Sequence, residues 1–158
     1  MKALTLTQPW ASLVAIGAKA NETRSWKTDY RGLVAIHAAK GWTRGDRDLC
    51  YEAPFFAVLR GRLGAPDFDP SYLPFGAVVA VATLADCVRI AIGANDDALL
   101  TTDPERRLSS HSDEYAFGNY DPGRFAWLLA DVVRLKTPIP CKGALGLWTL
   151  PPEIERQL

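Results

Sequence analysis

Cysteine is scarce: Cys50, Cys87 and Cys141 are the only three in 158 residues. They are odd in number, far apart and without CxxC spacing, so neither a disulfide framework nor a zinc site is signalled. Long apolar runs are also lacking. Nothing approaches the ~18 residues that a membrane span needs, and the opening MKALTLTQPW is too short and too early broken by Pro9 to read as a secretory signal. The expectation is a cytoplasmic protein that does not engage a membrane. No GxGxxG follows a strand, and GxxxxGK[ST] and HExxH are missing, so no cofactor and no metal are expected. Ser12, Thr23 and Ser25 lack a neighbouring His–Asp pairing, which leaves a serine triad unsupported.

Excess charge of either sign is missing as well. Eighteen basic residues balance eighteen acidic ones, which speaks against a non-specific nucleic-acid coat. The balance hides an asymmetry. Residues 19–47 carry seven basic and three acidic side chains, a net +4, whereas residues 86–121 carry three and eight, a net −5. A basic segment beside an acidic one suits a local anionic ligand better than a long duplex, although two solvated faces would show the same pattern.

What is present is an ordinary globular mixture, 48% hydrophobic and 23% charged, long enough to bury a core. KALTLT alternates with period two, as a half-buried strand does. QPWASLVAIG switches to helical spacing, with Thr7 as the expected N-cap and Gly17 as C-cap. NETRSW and RGLVAIHAAK read as strands. Phe55, Phe56, Leu59 and Leu63 predict one or two short helices in the middle third. GAVVAVATLADCVRI and GRFAWLLADVVRLKTP predict long strands, and GALGLWTLP a short last one. The polar stretch 93–119 reads as a loop or as a short helix around 103–108, and loops of that length are often functional. Strands outnumber helices and parallel crossovers are few, which favours a small twisted barrel with flanking helices.

The stretch GAKANETRSW carries the chemistry. On a strand, the period of two places Glu22, Arg24 and Trp26 on one face and Asn21, Thr23 and Ser25 on the other. Lys19 falls on the turn before them. A carboxylate held by an arginine can activate water, with a lysine stabilising developing negative charge. A lysine in a low-dielectric cavity can instead lose its proton and act as base. The bland alternative is a surface ion pair worth little. His37, mid-strand, is expected as a hydrogen-bonded core residue or a ligand contact. Trp10 and Trp26 flank the charged cluster and offer rings on which a base can stack.

QPWASLVAIGAKANETRSW followed by YRGLVAIHAAK resembles the ASCH domain family of the PUA-like superfamily, in its compact bacterial form. The GxKxxExR pattern falls on Gly17, Lys19, Glu22 and Arg24. LPFGAVVAVATLADCV, FGNYDPGRFAWLLADV and PIPCKGALGLWTL resemble later blocks of the family. The resemblance implies an α+β fold, a small PUA-like β-barrel with flanking helices, as one domain over residues 1–158 with a helical insertion near 42–70. It implies RNA or a modified nucleoside as the ligand of a cleft lined by Lys19, Glu22 and Arg24. Trp10, Trp26 and His37, read from the residues themselves, are the expected further ligand contacts. Hydrolysis follows for some branches, either of single-stranded RNA or of the N4-acetylcytidine amide. A non-catalytic RNA-binding module in RNA processing or translation regulation is the alternative. Lys19 matches the lysine of the amidohydrolase branch, but Glu22 stands where that branch has a threonine.

Overall fold

The structure is a computed structural model that describes residues 1–102 and 104–158. Alternation of Leu4 and Leu6 with threonines produces β1 (Lys2–Leu6), whose leucines are buried. The chain then turns into α1 (Trp10–Ala15). Thr7 does not cap this helix through its side chain. The Gln8 side chain does that work, accepting the Ser12 N–H at 3.1 Å. Gly17 ends the helix as expected, with φ +68° and its N–H on the Val14 carbonyl, a left-handed conformation that costs glycine little.

β2 is shorter than NETRSW suggests: it covers Asn21–Arg24, and Ser25 and Trp26 form a bend. β3 (Gly32–Ala38) follows, then α2 (Arg44–Leu49), capped reciprocally by Thr43 and Asp46, and α3 (Phe55–Leu63), which buries Phe55 and Leu59. The two long strands are β4 (Ala77–Ile92) and β7 (Phe125–Pro140). Between them, the stretch expected as a loop or single helix is strand and helix. β5 (Ala98–Leu100) pairs antiparallel with the end of β4, and β6 (Arg106–Leu108) pairs with β5. Residues 106–108 are therefore a strand and not a helix, because Ala98 and Leu100 are buried beside Ile90 and draw the chain into the ladder. Asp103 lies outside the described residues. α4 (Asp113–Ala116) follows, with the Ser112 hydroxyl accepting the Tyr115 N–H. β8 (Leu147–Thr149) and α5 (Pro152–Glu155) complete the described elements.

The strands pair in the order β2-β7-β4-β3-β1-β8, with β5 and β6 attached to β4. β1 runs parallel to β3 and antiparallel to β8, so the sheet is mixed. The path is open at β2 and β8, and the class it establishes is mixed α+β, eight strands with five α-helices among the described residues.

The chain forms two compact units. The first comprises Met1–Ala18, Leu33–Ala82 and Asp131–Leu158, and the second Lys19–Gly32 and Thr83–Ala130. In the first, Ala3, Ala35, Val78 and Leu150 form one buried cluster, bordered by Trp148 and Ile139. In the second, Val88, Ile90, Ala98, Leu100, Tyr120 and Ala126 pack together. Among the described residues no helix is long and apolar enough to cross a membrane.

Candidate functional site

Lys19, Glu22, Arg24 and Trp26 all belong to the second unit. β2 pairs antiparallel with β7, and Glu22 stands directly opposite Trp127 while Thr23 stands opposite Ala126. Residues directly opposite in a ladder share a face, so Glu22 and Arg24 lie on the Trp127 side. Thr23 points the other way, as the alternation predicts, and its hydroxyl accepts the Asn119 N–H at 3.0 Å. Trp26 lies past the end of the strand, yet it returns to the same side. Its ring packs edge-on against buried Trp127 at 4.6 Å, and its carbonyl accepts the Trp127 indole N–H.

Glu22 is oriented by two cations. Arg24 Nε lies 3.0 Å from its Oε1 and Lys19 Nζ 3.9 Å from its Oε2. Glu22 retains 12% of its side-chain exposure, enough for solvent or a ligand to reach a carboxylate already fixed in direction.

Lys19 is not the flexible ammonium that its position on a turn suggests. It is 1% exposed, among the largest fully buried side chains described. Its Nζ donates to the Asn21 carbonyl oxygen. Burial lowers its pKa from the ordinary lysine value, Glu22 and then Glu114 oppose that shift, and Arg24 adds to it. A buried ammonium with anionic neighbours stores charge that a surface lysine would leave to water.

The residue that sequence reasoning missed is Glu114. From α4 it accepts the backbone N–H groups of Ala20 at 2.7 Å and Asn21 at 3.0 Å, and the Tyr120 hydroxyl at 2.9 Å. It thereby holds the chain on either side of the entry to β2 and adds a negative charge near Lys19. The signal for it was the charge asymmetry, since Glu114 belongs to the acidic segment that faces the basic one in composition. Part of that asymmetry is spent internally: Arg31 and Asp86 pair at 2.7 Å.

Trp10 and His37 belong to the first unit. Trp10 is half-buried with its ring edge-on to Phe55 at 6.3 Å. His37 is buried, its Nε2 is 2.9 Å from the Cys141 carbonyl, and its ring meets Trp148 edge-on. Among the described residues no group of three or more His, Cys, Asp and Glu side chains is placed to hold a metal ion.

A mixed α+β fold thus carries a carboxylate and an arginine on the terminal strand β2, with a buried lysine two residues before it. The ASCH domain model matches residues 4–138, and the chain belongs to the ASCH domain family, a PUA-like family of RNA-binding domains. Activating signal cointegrator 1 of Mus musculus is 35% identical over 86 residues, and that of Homo sapiens 34% over 86 residues. Each alignment covers 54% of this chain and 14% of the relative, so the chain spans a small part of their length.

Proposed function

We propose that the chain binds RNA or a modified nucleoside at the Lys19–Glu22–Arg24 group and hydrolyses it. The observation that carries this reading is Lys19 itself, buried to 1% exposure beside a carboxylate that an arginine holds at 3.0 Å. Clusters of this kind, in which burial and specific partners shift a titratable group, concentrate at functional sites.

For an acetylated cytidine the chemistry runs as amide hydrolysis. Glu22 takes a proton from water, the hydroxide oxygen adds to the acetyl carbonyl carbon, and the Lys19 ammonium stabilises the oxyanion. The C–N bond then breaks, the amine leaves with the proton Glu22 had taken, and acetate is released. In cleavage of single-stranded RNA, Glu22 takes the proton of the ribose 2′ hydroxyl, and the 2′ oxygen bonds to phosphorus as the P–O5′ bond breaks. The leaving 5′ oxygen receives that proton, and the Lys19 ammonium faces the phosphate charge. Arg24 keeps Glu22 in position in both cases. In this reading residues 1–158 are a single cytoplasmic PUA-like domain with the barrel architecture of its family.

The second reading is a non-catalytic RNA-binding module. It is favoured by Trp26, 39% exposed with its ring braced by Trp127, a surface on which a base can stack. Incubating the protein with N4-acetylcytidine and with short single-stranded RNAs, beside Glu22→Gln, separates the two. Product from the wild type alone supports hydrolysis. Saturable binding by both proteins with product from neither supports the module, and no binding and no product ends both readings.

A further inference from the structure

The first unit contains a cavity of about 920 Å³, none of whose lining residues belongs to the Lys19 group. It lies at the end of β3, and the segment between β7 and β8 forms one side of it. Three kinds of surface meet there.

The first is polar and buried. His37 Nε2 faces the Cys141 carbonyl, so the ring donates from Nε2 and Nδ1 carries a lone pair. Nδ1 is buried and finds no hydrogen-bond partner among the described residues, a state that costs free energy unless a donor is supplied. Thr5 stands opposite His37 in the parallel β1–β3 ladder and lines the same cavity. Gly143 keeps this corner free of side chain. A Cβ there would stand 2.6 Å from Nδ1, 2.4 Å from Cε1 and 2.9 Å from the Thr5 hydroxyl oxygen.

The second surface is aromatic. Phe75 lines the cavity, and its ring is braced by Trp42 with centroids 4.9 Å apart. The third is cationic: Lys40 and Lys142 both line the cavity, both are exposed, and no acidic residue is among the lining side chains.

We propose that this cavity binds a nucleoside monophosphate group, either as a free nucleotide or as the phosphorylated end of a strand. Its ring packs on Phe75, a hydroxyl or amine of the nucleoside donates to His37 Nδ1, and its phosphate lies between Lys40 and Lys142. A fatty acid brings an anion and an apolar body but no donor for the histidine. A sugar phosphate brings donors and an anion but no flat apolar face. The volume lies within the range of small-molecule sites, ~300–1,000 Å³. The site shares no residue with the Lys19 group and stands whether or not that group is catalytic.

The test is calorimetric titration of the full chain with AMP, UMP, adenosine, inorganic phosphate and a 5′-phosphorylated trinucleotide. The proteins are the wild type, the Lys40→Ala/Lys142→Ala double variant and Glu22→Gln. AMP or the trinucleotide is expected to bind saturably, with whichever is tighter identifying the source as free nucleotide or strand end. The double lysine variant, altered only at exposed side chains, should bind about tenfold more weakly, and adenosine should be weaker than AMP by about the same factor. Binding should survive Glu22→Gln, and the His37 Nδ1 nitrogen resonance should move on addition of AMP. The proposal is overturned by no saturable binding at millimolar ligand, by indifference to the lysine pair, by inorganic phosphate binding as tightly as AMP, or by loss of binding in Glu22→Gln.

Discussion

Glu114 accepts the backbone N–H of Asn21 at 3.0 Å, although 93 positions separate the two in the chain. That contact joins α4 to the first residue of β2, and the neighbouring bond from Ala20 makes it a two-point grip. Lys19 is the next residue back. One carboxylate therefore fixes the backbone that carries the buried lysine and contributes to its electrostatics. Tyr120 holds the carboxylate in turn, and the surrounding contacts raise its own hydroxyl pKa, burial first and Glu114 second.

Removing that carboxylate should be expensive. Glu114→Ala strips acceptors from two backbone donors and one hydroxyl, and the expected loss is about 2–3 kcal/mol of unfolding free energy. Glu114→Gln keeps one acceptor oxygen but no charge, so it should cost less stability while lowering the Lys19 pKa further. Urea denaturation measures the first effect. The second is read from the pH profile of the Lys19 amine, and equal profiles for wild type and Glu114→Gln would remove Glu114 from the lysine's electrostatics.

The Lys19 shift has a stability consequence whose sign is definite. Its folded pKa lies below 10.5, the ordinary value, so between those two points the unfolded chain holds more protons than the folded one. Stability contributed at this position is then present above the unfolded value and is lost as pH falls through the folded one. Unfolding free energy should rise with pH as the window below 10.5 is crossed, by no more than about 1.4 kcal/mol per pH unit. Lys19→Met should flatten that rise. Denaturant titrations at a series of alkaline pH values, comparing the two proteins, measure it; parallel curves would show that the buried amine does not titrate there.

The strand parity of NETRSW was legible because a two-residue period leaves little choice: Glu22 and Arg24 share a face and Thr23 takes the other. Family membership was legible too, because Gly17, Lys19, Glu22 and Arg24 stand at fixed spacing in one short segment. Trp26 reached the expected side by a different route, through Trp127, since the strand ends before it. The burial of Lys19 was not legible. A lysine one residue past a helix-ending turn reads as exposed, and the groups that make its burial tolerable include Glu114, more than ninety positions away. The short strands around 98–108 were missed for a related reason: three-residue ladders are stabilised by the neighbour they pair with, here Ile90 at the end of β4, and carry little period of their own.

Trp26 and Trp127 should separate binding from stability. Trp127 is fully buried, and Trp127→Ala is expected to cost about 3–5 kcal/mol. Trp26 is 39% exposed, so Trp26→Ala should cost about 1 kcal/mol or less while weakening single-stranded RNA binding by ~1–3 kcal/mol. Thermal melts and fluorescence titrations of the same two variants measure both quantities. Unchanged RNA affinity in Trp26→Ala would show that no base stacks on this ring.

Salt dependence tests how local the contact is. Arg24 and Lys19 are both engaged with Glu22, so the group can neutralise only one or two phosphates of a strand. For single-stranded RNA the slope of log affinity against log salt is then expected between about −0.7 and −1.4. Arg24→Lys should reduce turnover more than it changes this slope. An ammonium retains the charge but not the planar guanidinium that holds Glu22 Oε1 at 3.0 Å, so in the proposed reaction the carboxylate should lose its direction while the positive charge persists. Affinities measured between low and physiological salt, with turnover measured in parallel, give both numbers. A slope of many ion equivalents would place the RNA on an extended basic surface and not on this group.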